Sequence, residues 1–409
     1  MLFVLYWYMI KKWAVIMAAV VALAACSDGR GGAVPTPLTP RRATDPRPAP
    51  FEAAAVQPTL RPAWGVWKDT GISEDQAYMN SVAAPGSRDA WAVGSDAFNL
   101  VGIVKHWDGR RWRPVKPPRK KKGNNGLLVV SASTSGNVWV FGEEGDAWRR
   151  EGGGWSHQGR PSQIDSLHAA VVVSPREVWV AGAMSWGNWS PVVARWSGAS
   201  WTTVPTPFEG AVTSLSVGSG RQLWAIGREG DPRSGEGAPA VARWDGERWR
   251  AVPLPDLLRS KGVRLKRIVA ASPGKAWIAG SVDTGAVQVR DDEEYTPGFV
   301  MYWNGHNWQS LNAPSHDAFL SGTPGVDDFG TIASDGRGGL WLGDAHARIW
   351  HYDGRAWAAE KTVSGNKWYM ADGFASIPGS RRAIAVGGKP MAEEDSRGWI
   401  WMRHPVASE

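Results

Sequence analysis

One cysteine, Cys26, is present in 409 residues, so no disulfide forms within the chain and any fold is held by packing and strand pairing alone. Metal-ligand patterns are missing as well. The eight histidines include no HxH, HExxH or other zinc-type spacing, and no acidic loop follows the EF-hand pattern. There is no GxSxG elbow and no Gly-rich phosphate loop. No cofactor is expected, and no catalytic set can be chosen, although propellers assemble sites from separate blades and need no local motif. A strong charge of one sign is also lacking: 46 basic against 39 acidic residues leave +7.

What the chain has is a repeat. Six hexapeptides of one kind recur: WDGRRW at 107 to 112, REGGGW at 150 to 155, WSGASW at 196 to 201, WDGERW at 244 to 249, WNGHNW at 303 to 308 and YDGRAW at 352 to 357. Each reads as a tight hairpin turn between two strands. Ahead of each lies a short apolar run holding one Trp and ending in or near Gly: DAWAVG, NVWVFG, EVWVAG, QLWAIG, KAWIAG and GLWLG, with RAIAVGG as a seventh copy in which Ile384 takes the Trp position. A further apolar segment precedes every copy, which makes four short strands per unit, A to D in chain order. The Trp spacings of 48, 40, 45, 53 and 64, then 43 to Ile384, suit propeller blades with loop insertions rather than the tighter period of a β-helix.

The seventh unit ends at its C strand, GWIWMRH at 398 to 404, without a hexapeptide or D strand. The missing strand is found at the other end of the chain. AWGVWKD at 63 to 69 has the D-strand pattern of RWRPVKP and SWTTVPTP, so its pairing with the last blade closes a ring and covers two sheet edges. The expected fold is all-β, a seven-bladed propeller of four-stranded blades over 63 to 409. Forty-nine glycines suit its many turns, and the 27 Trp residues, recurring at one register, are expected in the core.

The first 62 residues follow other rules. Lys11 and Lys12 precede an apolar stretch from Trp13 to Ala25, and Leu23, Ala24, Ala25 and Cys26 close it. This order of charge, apolar run and small residues is that of a secretory signal, and it resembles a bacterial lipoprotein signal over residues 1 to 25. A start at Met9 makes the signal more ordinary, and the two lysines argue against an uncleaved membrane helix. Cys26 then carries lipid and anchors the protein to a membrane, facing outside the cytoplasm. Residues 26 to 62, rich in Pro, Ala, Thr and Arg, read as an extended tether. Without the signal the balance is 44 basic against 39 acidic, or +5, and export excludes intracellular nucleic acid as a partner. RKKK at 119 to 122 and KGVRLKR at 261 to 267 are basic clusters of the kind that usually form solvated loops or contact a polyanion.

Short A–B and C–D turns and long, variable B–C and D–A connections place all the variable loops on one face of the disc, where a ligand site is expected. Within those loops, Trp186, Asn188 and Trp189 form one off-register aromatic group and Trp368 with Tyr369 another. Flat rings beside amides are what a sugar-binding surface needs, while capping of the blade below is the plainer role. Carboxylates crowd the same loops, but abundance selects no hydrolytic pair.

The segments DAWAVG…VKHWDGRRWRPV and EVWVAG…VARWSGASWTTVPTP resemble the repeats of secreted bacterial propellers grouped as YVTN/BNR-like or kelch-like, over residues 63 to 404. The kelch Gly-Gly doublet survives only at Gly387 and Gly388, and the sialidase Asp-box spacing is absent, so neither family's catalytic residues carry over. The resemblance implies the fold and a mixed range of functions. The expected role is that of a tethered, monomeric binding module for envelope polysaccharide or a surface protein. Alternatives are a polysaccharide hydrolase or lyase, or an assembly scaffold without a small ligand.

Overall fold

The computed structural model describes residues 51–52, 60–61, 65–96, 101–120, 123–184, 190–230, 237–259, 262–272, 274–282, 287–288, 294–295, 298–311, 329–344, 348–362, 370–389 and 397–405. They form a seven-bladed β-propeller. Six four-stranded antiparallel blades span 77–115, 127–157, 166–204, 212–251, 263–310 and 329–359, each running A, B, C, D from the axis outward. The seventh takes its A, B and C strands from Met370–Ser376, Ala383–Lys389 and Arg397–Pro405, and its outer strand from Gly65–Asp75. The A strands of successive blades touch one another all the way round, and the last touches the first.

The B-strand Trp of blades 1 to 6 is buried, and across the strand pair it faces a flat or cationic side chain. Trp91 opposes His106, Trp179 opposes Arg195, Trp224 opposes Arg243, Trp277 opposes Tyr302 and Trp341 opposes His351. His106 and His351 stack on their rings with centroids 4.1 and 4.0 Å apart, and the guanidinium of Arg195 lies 5.5 Å from the Trp179 ring. Cross-strand pairs of this kind stabilise a sheet beyond the area they bury.

The hexapeptides are C–D turns. Asp108 Oδ1 accepts the backbone N–H groups of Arg110 and Arg111, both at 2.9 Å, and Asn304 Oδ1 accepts those of His306 and Asn307 in the same way. The following glycines have left-handed backbones, φ 92° at Gly109 and 108° at Gly305, which only glycine adopts without strain. The backbone bonds from Arg111 and Arg110, aided by Arg113, hold the Asp108 carboxyl well below the usual carboxylate range.

Neighbouring blades are stitched at two radii. Near the axis, serines satisfy the free inner edge of the next A strand: Val130 N–H donates to Ser81 Oγ at 3.2 Å, Val172 N–H to Ser131 Oγ at 3.0 Å, and Ala270 N–H to Ser216 Oγ at 3.0 Å. At the rim, the D-strand Trp donates to a carbonyl just past the preceding D strand: Trp155 to Lys116, Trp201 to Gln158, Trp308 to Pro253 and Trp357 to Leu311, at 2.8 to 3.2 Å.

The closing blade holds a buried ion pair. Arg403 donates from Nε and Nη2 to the two carboxylate oxygens of Glu360, at 2.9 and 3.2 Å, and from Nη1 to the Arg381 carbonyl at 2.8 Å; the two side chains are 1% and 0% exposed. Gly65 passes over this guanidinium so closely that a Cβ there would overlap it. The ion pair thus joins the end of blade 6 to the last strand of blade 7 beneath the entering N-terminal strand.

Within the stretch 26 to 62, the two described segments are strand-paired: Phe51–Glu52 runs parallel to the D strand of blade 5, and Leu60–Arg61 runs parallel to that of blade 6. The outer edges of those blades offer unpaired backbone groups, and short extended segments satisfy them without any hydrophobic periodicity to announce it. Residues 1 to 50, with the expected signal and Cys26, and residues 53 to 59 and 62 to 64 lie outside the described residues.

Removing one partner of a buried ion pair costs about 3–5 kcal/mol, whereas replacing both with apolar groups is often neutral. Glu360→Ala is expected to destabilise by that amount in equilibrium denaturation, and the double variant Glu360→Leu with Arg403→Met is expected to recover most of the loss. A Glu360→Ala effect below about 1 kcal/mol would remove the pair from the account of closure.

Candidate functional site

The A strands share an irregularity that the repeat alone does not show. In all seven, pairing with the B strand slips by one residue at the same level, leaving a bulge at Asn80, Leu128, His168, Thr213, Lys266, Gly330 and Asp372. The bulges face the last residues of the B strands. They therefore sit at the end of the disc that carries the B–C and D–A connections, around the mouth of the central channel. Bulges re-aim side chains and are common beside functional sites.

The cause is legible in the glycine that closes the B-strand motif. A Cβ on Gly94 would run into the Tyr78 carbonyl, one on Gly182 into that of Ser166, one on Gly227 into that of Ala211, and one on Gly280 into that of Arg264. In each case the carbonyl belongs to the residue two before the bulge. The bulged backbone leans into space that only glycine leaves open.

Seven equivalent positions thus carry seven different residues, all half-buried. Two of them bridge to the next blade in the same manner: Asn80 Nδ2 donates to the Leu127 carbonyl at 2.8 Å, and His168 Nδ1 lies 3.2 Å from the Val212 carbonyl. Because a carbonyl only accepts, Nδ1 carries the proton, and Nε2 is left as an acceptor in the neutral ring. Burial pushes the His168 pKa down, with the Val212 bond opposing, so this ring is neutral at pH 7. Arg267, one residue past the bulge of blade 5, is reached by water yet walled by protein. Desolvation lowers its pKa, and the carboxylate of Asp372, two blades on, opposes the shift. Just outside, burial and then the nearby charge of Arg264 lower the pKa of Arg228. Among the described residues, the mouth therefore combines cations, the Asp372 carboxylate, a neutral imidazole, an amide, a hydroxyl and an apolar group.

The basic segment 261 to 267 contributes Arg264, Lys266 and Arg267 to this end of the disc. The other run divides: Lys120 pairs inward with Glu144 and Asp146 at 2.6 and 3.1 Å, Arg119 is exposed, and residues 121 and 122 lie outside the described residues. Trp186, Asn188, Trp189, Trp368 and Tyr369 also lie outside them, as do most of the variable loops. No cluster of metal-ligating side chains occurs among the described residues.

No family model matches the chain and no curated protein matches it. Solved structures do. YCF48 bound to D1 peptide is similar at 13% identity and a TM-score of 0.56, over 86% of this chain and all of that one. YCF48 from Cyanidioschyzon merolae is similar at 14% and 0.54, over 83% and 98%, and U3-55K at 11% and 0.56, over 83% and 98%. At such identities the likeness shows the propeller fold alone. The grouping with YVTN/BNR-like or kelch-like repeats rests on the repeat residues quoted above.

Proposed function

We propose that the chain is a tethered binding propeller that takes a segment of a protein partner at the channel mouth. The bulge ring carries this reading: one repeated backbone device presents Asn80, Leu128, His168, Thr213, Lys266 and Asp372 at one level. A uniform polymer would be met by uniform chemistry, whereas a ring mixing charge, amide, hydroxyl and apolar groups suits the varied side chains of a polypeptide. That one similar structure is of YCF48 with a D1 peptide agrees with this use of the fold. A sugar-binding role stays attached to Trp186, Asn188, Trp189, Trp368 and Tyr369 as the variable-loop alternative.

A photo-crosslinking residue placed at 213 or 266 tests the reading, with 110 and 247, on exposed C–D turns at the opposite end, as controls. Discrete adducts containing a partner polypeptide are expected from 213 and 266 only. Adducts of equal yield from all four positions, or none from the mouth, would contradict it.

Tethering rests on Cys26 completing the LAAC sequence as the only thiol of the chain. A labelled fatty acid fed to cells is expected to mark the wild type and not Cys26→Ala. Label kept by the variant would end the anchor proposal.

A further inference from the structure

The aromatic repeat gives way to a cation at two described places, Arg403 of blade 7, whose guanidinium lies 5.0 Å from Trp341 and pairs with Glu360, and Arg150 of blade 2, where a cavity lies. The first residue of the hexapeptide, the last of its C strand, is aromatic in five blades: Trp107, Trp196, Trp244, Trp303 and Tyr352. Trp196 and Trp244 reach back to the B-strand Trp of the preceding blade, with centroids 5.7 Å from Trp139 and 4.9 Å from Trp179. In blade 2 the same position is Arg150. Its guanidinium lies 5.4 Å from the Trp91 ring of blade 1 and 5.3 Å from Trp155, and its Nη1 donates to the Gly154 carbonyl at 3.1 Å. A cation has replaced the ring in the inter-blade stack, held by two aromatic faces. The turn beside it has also changed. Gly152 and Gly153, with φ of 53° and 81°, close a two-residue hairpin where the other blades use four, so the lip carries no side chain.

The cavity at this seam measures about 410 Å³ and is lined by Val115, Lys116, Pro117, Pro118, Arg119, Arg150 and Trp155, with Gly153 and Gly154 at its lip. Nearby acids are engaged elsewhere: Glu144 and Asp146 by Lys120, and Glu151 by Arg149 at 3.8 Å. Among the described residues, three cations and no carboxylate line this space, beside two prolines and a tryptophan.

We infer that this rim cavity binds an acidic sugar residue of a polysaccharide, its carboxylate or other anionic group meeting Lys116, Arg119 and Arg150 and its ring lying against Trp155 and the prolines. A free phosphate would use the charge but fill little of the volume and none of the apolar wall. A neutral sugar would use the wall and leave three cations uncompensated. An acidic sugar satisfies both, and the volume suits one or two sugar units. The site is separate from the channel mouth and stands or falls without it.

Retention of the full chain on immobilised polygalacturonate, against the same polymer with its carboxyls reduced, is the test, with polyglutamate as a competitor. The wild type is expected to bind the acidic polymer and not the neutral one, and polyglutamate to compete weakly. Lys116→Glu with Arg119→Glu, both exposed positions, is expected to weaken binding at least tenfold. Trp155→Ala is expected to do the same, and Trp155→Phe, which keeps a ring and loses only the N–H bond to Lys116, to bind nearly as the wild type does. Thermal melting of each variant confirms that it is folded; where Trp155→Ala is not, the charge-reversal pair and Trp155→Phe decide. Absence of retention, retention unchanged by the charge reversal, a folded Trp155→Ala that binds normally, or displacement by polyglutamate as effective as by free polygalacturonate would overturn the inference, the last two in favour of an acidic peptide.

Discussion

Everything in this disc depends on one pairing: Gly65–Asp75 lies antiparallel to Arg397–Pro405, so that strands from opposite ends of the chain share a sheet. Without it blade 7 would have three strands of its own, and the buried Trp67, Trp399 and Trp401 would lose the neighbours they pack against. Because the A strands touch in a closed cycle, no blade can turn or slide without its neighbours. The Arg403–Glu360 pair adds a polar lock at the same seam, and the close passage of Gly65 over Arg403 fixes how the entering strand lies.

Closure also gives the ring of bulges its meaning. A bulge in a single sheet is a local kink. Seven bulges at one level, in strands held in a cycle, bring residues far apart in sequence to one rim: Asn80 in blade 1 and Asp372 in blade 7 belong to adjacent strands. The serine bonds between A strands hold that level from blade to blade, and the glycines opposite the bulges leave room for it. Structure is repeated and chemistry is varied: the same backbone slip recurs in every blade, and the side chain it carries differs from one blade to the next.

Much of this was legible in the sequence. The B-strand Trp register, the hexapeptide turns and the D-like pattern at 63 to 69 all report packing that must recur in every blade, so they stand out as period. The bulges left only an indirect trace, the terminal glycine of DAWAVG or EVWVAG, because a one-residue slip alters pairing without altering composition. Arg150 was in plain view inside REGGGW, but its meaning depends on which rings it meets in space, Trp91 from the preceding blade among them. Phe51–Glu52 and Leu60–Arg61 pair through backbone atoms, which side-chain patterns do not report. Trp186, Trp189, Trp368 and Tyr369 stand off the structural register in the sequence, and the described residues do not include them.

Hydrogen exchange on a chain lacking residues 65 to 75 tests the claim that closure holds the whole ring. Amides in the A strands of all seven blades, including Ser166–Ser174 on the far side, are expected to lose protection together. Loss confined to blade 7 and its neighbours, with protection of Ser166–Ser174 unchanged, would show that each blade stands on its own packing and that the pairing of the chain ends is a local seam.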